Sequence, residues 1–184
     1  MSAELIKQIS GTIGKTKVLK LSTILAEKNF ELDDLIDLTF HGDKGIAFRA
    51  AWLLENMFLA NPESFLPHIE YLLSRIGEIT NTSCKRHYAK ILMLLTAPRA
   101  LQSIRQKLNE INLEPAIEQC FDWLIDPRVM VAVKSFASEA LFNMRLRYPW
   151  IADELPEQLE YLMRDGTAAI QSKGRRLLSY LSPH

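Results

Sequence analysis

The residue types that could carry chemistry are few and scattered. The histidines are His41, His68, His87 and His184, none within three to five residues of another, and Cys84 and Cys120 form no Cys-x-x-Cys pair. That spacing offers no metal site. No Gly-x-x-x-x-Gly-Lys loop, Gly-x-Gly-x-x-Gly turn or Gly-x-Ser-x-Gly elbow occurs, so phosphate cradles and activated serines lack support. The adjacent carboxylates Asp33-Asp34 and Asp153-Glu154 fall at expected helix starts, where capping accounts for them better than acid-base work. The expectation is a protein that is not an enzyme, with no catalytic residue, metal or cofactor. What remains is recognition chemistry: arginines and lysines able to hold carboxylate or phosphate oxygens, and aromatics able to bury area.

Those side chains must be positioned by helices. In 184 residues, 48% apolar and 24% charged, there are only 7 glycines and no sustained apolar/polar alternation, while Leu, Ile, Ala, Glu and Lys recur at helical spacing. Such a chain is an ordinary globular one, expected to form a single domain over 1–184. Two cysteines and no charged, apolar leader favour a reducing, cytoplasmic setting without a membrane partner. The longest apolar stretch, Ile46 to Ala60, is interrupted by Arg49, Glu55 and Asn56 and is shorter than a span. Prolines at 62, 98, 115, 127 and 149 mark first helical turns. The predicted helices are 2–11, 15–28, 32–40, 43–59, 62–77, 81–96, 98–111, 114–125, 127–147, 150–164 and 166–181, joined by short loops as hairpins.

Four of these helices share a pattern. Reading positions 0, +4, +7, +8 and +11 gives Ile46, Ala50, Leu53, Leu54, Met57; Cys84, Tyr88, Ile91, Leu92, Leu95; Val133, Ala137, Ala140, Leu141, Met144; and Ile170, Gly174, Leu177, Leu178, Leu181. These positions cover one stripe of a helix, with leucine at +8 throughout. A weaker row starts at Val18 and is spoiled by Ser22 and Asn29. Upstream, Leu66-Pro67 with Ile69-Glu70-Tyr71-Leu72-Leu73 echoes Leu155-Pro156 with Leu159-Glu160-Tyr161-Leu162-Met163. Asp43, Asn81, Asp126 and Asp165 precede the striped helices as expected caps. The row spacings are 38, 49 and 37, the long one containing an extra helix at 98–111.

Helix pairs of this length, with proline in the first helix and an apolar stripe in the second, resemble HEAT-like or armadillo-like α-solenoid repeats. The resemblance implies an all-α, right-handed superhelix of about four to five helix pairs whose second helices line a concave face, and it implies binding rather than a reaction. A plain helical bundle is the structural alternative.

Charge is divided between the two helix types. The second helices with their approaches (14–28, 43–59, 79–96, 126–147, 165–181) total +10, the first-type segments (1–13, 29–42, 60–78, 113–125, 148–164) total −12, and 97–112 adds +2, so the chain is neutral. A globally basic nucleic-acid binder is disfavoured. Two readings stay open. Either the charges only support helix ends and solubility, or the second helices form a basic face that steers acidic ligands. Positions +2 and +6, opposite the stripe, are Phe48 and Trp52, Arg86 and Lys90, Ser135 and Glu139, Ser172 and Arg176. The candidate binding residues are therefore Phe48, Trp52, Arg86, Lys90 and Arg176, with another protein or an acidic peptide as partner; Trp52 as plain core is the alternative. Nucleic acid is the second partner class, because the chain also resembles alkylpurine DNA glycosylases built from HEAT-like repeats, with Trp52, Trp123 or Trp150 and Asp153 in view. It departs from them in its neutral charge and in reading Ala47-Phe48-Arg49-Ala50-Ala51-Trp52 where they carry a Trp-x-Arg-Arg stretch.

Overall fold

The four apolar rows become four helices stacked on one another. The computed structural model describes residues 3–11, 14–27 and 31–181, and shows no strand among them. The helices are α1 (Ala3–Ser10), α2 (Lys15–Glu27), α3 (Leu32–Leu38), α4 (Lys44–Ala60), α5 (Ile69–Ser74), α6 (Thr82–Thr96), α7 (Gln102–Glu110), α8 (Glu114–Ile125), α9 (Val131–Met144), α10 (Trp150–Arg164) and α11 (Ala168–Leu181). Lys28, Asn29 and His184 lie outside the described residues.

The second helices α2, α4, α6, α9 and α11 each pack against the next, while α3, α8 and α10 pack on α4, α9 and α11 respectively. Every row position is buried except Met57, Leu178 and Leu181, which are half-buried against the same core. Leu54, Leu92 and Leu141 are fully buried at the +8 position of successive layers. Truncating any of them to alanine removes a methylene-rich side chain and leaves a cavity, a loss of about 2–5 kcal/mol. Gly174 takes the +4 place in the last row because Met163 of α10 fills the space where its Cβ would stand.

Several boundaries differ from the predicted ones, each for a local reason. The expected helix 62–77 is a 3-10 segment Pro62–His68, then α5, then a 3-10 turn Ile76–Glu78. Pro67 cannot donate an amide proton and crowds the preceding turn, so the chain takes the tighter winding there. The matching Pro156 sits within α10 instead. The segment after Pro127 forms a turn rather than the start of α9: Asp126 accepts from the Arg128 amide at 2.9 Å. Asp43 and Asn81 cap their helices as expected, accepting from the Gly45 amide at 2.7 Å and the Ser83 amide at 3.0 Å, whereas Asp165 ends α10.

Candidate functional site

At the α4–α6 seam, Glu55 sits in the interior, with its side chain 7% exposed. A carboxylate at that depth requires hydrogen-bonded cations. Lys90 supplies the cation and His87, one turn before it on α6, a second donor: the His87 Nδ1–H donates to Glu55 Oε2 at 2.6 Å and Lys90 Nζ donates to Oε1. Burial alone would raise the Glu55 pKa; the hydrogen bonds from His87 and Lys90 outweigh it and hold the carboxyl below its ordinary value. Phe48 covers this cluster, its ring 5.6 Å from that of His87 and 5.8 Å from that of Trp52. Phe48 and Trp52 are both half-buried, so each serves the seam and keeps an outward edge.

At the α9–α11 seam the arrangement recurs closer to solvent. Glu139 accepts from Lys173 at 3.0 Å and from Arg176, again one turn apart on the later helix. Lys173 also reaches the Ser135 carbonyl at 3.3 Å. Between these, no ion pair joins α6 to α9 among the described residues, and the Asn143 amide donates to Thr96 Oγ1 and the Met93 carbonyl, both at 3.4 Å. Arg86 is exposed and makes no ion pair among the described residues.

The structure thus brings Phe48, Trp52 and Lys90 together around Glu55, places Arg86 beside them on α6, and puts Arg176 apart on α11, beyond α9. Lys90 and Arg176 are each engaged by a carboxylate of the preceding second helix. Glu55, His87, Glu139 and Lys173 complete these clusters and were not singled out by the row pattern. One signal was present: Glu55 interrupts the longest apolar run, and a carboxylate there must meet a cation.

Other groups have other places. The Cys84 thiol is buried and pushed up to about 12, and burial raises the Cys120 thiol too, so neither is poised as a nucleophile. Trp123 is fully buried and unable to face a ligand. Trp150, on the first-type helix α10, stacks on Phe121 at 5.5 Å, away from the second helices. Among the described residues no group of three His, Cys, Asp or Glu side chains gathers as for a metal, and no helix is long and apolar enough to cross a membrane.

Stacked helix pairs with registered apolar rows and seams tied by side chains of the next pair are repeat architecture, and the model of the HEAT repeat domain matches residues 5–181. The chain belongs to the HEAT repeat family. HEAT repeats in general serve as protein-interaction scaffolds and are typically non-catalytic. No curated protein and no solved structure gives a match.

Proposed function

We propose that this HEAT repeat chain is a non-catalytic scaffold whose second helices present a basic, inward face to an acidic segment of another protein. One observation carries the reading. Glu55 of α4 and Glu139 of α9 are already bonded to side chains of the next second helix that outnumber them, and Arg86 makes no ion pair among the described residues. By contrast, Glu114, Glu118, Asp122, Asp153, Glu154, Glu157 and Glu160 on α8 and α10 are exposed and make no ion pair among the described residues. Such a division steers acidic ligands to the second-helix side. Arg86 and Arg176 suit carboxylates because a guanidinium pairs two oxygens at once, and the outward edges of Phe48 and Trp52 supply apolar area.

The test is fluorescence anisotropy of a labelled polyglutamate peptide at low and near-physiological salt. Arg86→Glu is expected to weaken binding several-fold while thermal stability stays within about ±0.5 kcal/mol, as is usual at exposed positions. Unchanged binding in Arg86→Glu overturns the reading. Retardation of duplex DNA with a steep salt dependence replaces the acidic segment with nucleic acid.

A further inference from the structure

The extra helix α7 interrupts the pairing of first and second helices, and it leaves an open trough. The trough lies between α7, the end of α6 and the end of α9, with a volume of about 350 Å³. Its floor is apolar, formed by Leu95, Leu108, Leu113 and Met144. Across a wall made by Ala97, Pro98 and Asn143 it adjoins a second hollow of about 460 Å³, lined by Met93 and Leu94. Hollows of this size accept bulky apolar side chains.

The walls are held in place. The Arg147 guanidinium donates to the Leu108 and Ile111 carbonyls, the latter at 2.8 Å, which closes the C-terminal end of α7 and ties it to the end of α9. The Tyr148 hydroxyl accepts from the Leu113 amide at 3.1 Å, fixing the α7–α8 junction to the same point. The trough is therefore preformed and does not have to be ordered on binding.

Its rim is apolar and cationic together. Leu146 projects from the rim and is 83% exposed, the most exposed large apolar side chain among the described residues. Leu101, 44% exposed, stands one turn before Arg105. Arg99, Arg105, Arg145 and Arg147 surround the two hollows or flank Leu146, and none of the four is ion-paired among the described residues. Glu139, at the edge of the second hollow, is engaged by Lys173 and Arg176.

We propose that this trough is a second docking site, for a short protein segment in which apolar side chains are set among carboxylates. The apolar side chains fill the hollows on either side of Ala97-Pro98, Leu146 closes over one of them, and the carboxylates face Arg99 and Arg105. A nucleic acid would use the arginines but leave the leucine floor uncovered, which is why a protein segment is the better occupant.

The experiment uses the full chain and two labelled peptides, one with two leucines among glutamates and one with serine in place of both leucines. The leucine peptide is expected to bind at least about tenfold tighter than the serine peptide, a factor worth about 1.4 kcal/mol. Leu146→Ser is expected to remove that advantage, and Arg105→Glu to weaken both peptides. Both side chains are exposed, and an unchanged melting temperature verifies folding. Arg86→Glu, on the second-helix face, is expected to leave the leucine advantage intact, so the two sites fail separately. Equal binding of the two peptides, no binding of the leucine peptide, or wild-type behaviour of Leu146→Ser overturns the proposal. Concentration-dependent dimerisation abolished by Leu146→Ser also overturns it, by giving the trough to a second copy of the chain.

Discussion

At the α4–α6 seam a glutamate accepts from His87 and Lys90, and at the α9–α11 seam another accepts from Lys173 and Arg176. In each case the basic residues are three apart and hold the same +3 and +6 positions of their repeat. The difference is depth. Glu55 is 7% exposed and Glu139 20%, with the outer cation rising from 26% at Lys90 to 48% at Arg176. In the interior, removing one partner leaves Glu55 or His87, both buried, without its bond. At the outer seam Arg176 is about half exposed, and water weakens its bond to Glu139. The same device thus ties the α4–α6 seam deep in the stack and the α9–α11 seam nearer its surface.

The largest expected effect comes from breaking the inner cluster. Glu55→Ala leaves His87 and Lys90 without their shared acceptor and opens a void beneath Phe48. A loss of about 3 kcal/mol is expected, at the low end for a broken buried pair because Lys90 can turn outward. Chemical denaturation measures it. A loss below about 1 kcal/mol would place the inner seam on the same footing as the outer one.

Acid titration sharpens the contrast with a smaller effect. The folded-state pKa of Glu55 lies below its ordinary value of 4.5, so the folded form binds its proton less readily than the unfolded form. The linked stability is full above that ordinary value and is lost as the pH falls through the lowered folded value. Glu55→Gln removes this titration. The melting temperature of the variant is expected to fall less steeply than that of the wild type below about pH 5. Parallel acid limbs for the two proteins would mean that the cluster does not favour the charged form.

The stacking of this molecule was legible in its sequence because each row of apolar residues repeats within one helix, and burial follows that stripe directly. Leucines 54, 92 and 141 could be placed in successive layers from spacing alone. The seams were harder to see. Glu55 and its partners lie 32 and 35 positions apart, and their meeting depends on the register between helices. The charge total over 43–59 also hides it, since Glu55 and Asp43 cancel against Lys44 and Arg49. Lys90 and Arg176 were singled out by phase, yet phase alone gives a direction on one helix and says nothing of a carboxylate reaching across from the next. The trough beside α7 had a weaker signal, the long spacing between rows, because a hollow is defined by three elements at once.

The smallest effect on stability, and the most informative for binding, is expected from Glu139→Gln. Glutamine keeps the length of the side chain and one acceptor oxygen, and Lys173 retains the Ser135 carbonyl, so the seam should lose less than about 1 kcal/mol. The charge, however, is gone, and Lys173 and Arg176 no longer share a counter-ion. A polyglutamate probe is therefore expected to bind about two- to fivefold tighter at low ionic strength, and the gain should fade as salt screens it. Anisotropy on the wild type, Glu139→Gln and Glu55→Gln decides the matter. If Glu55→Gln tightens the probe as much as Glu139→Gln does, depth does not separate the two seams. If Glu139→Gln leaves affinity unchanged, the outer cations serve the stack and not a ligand.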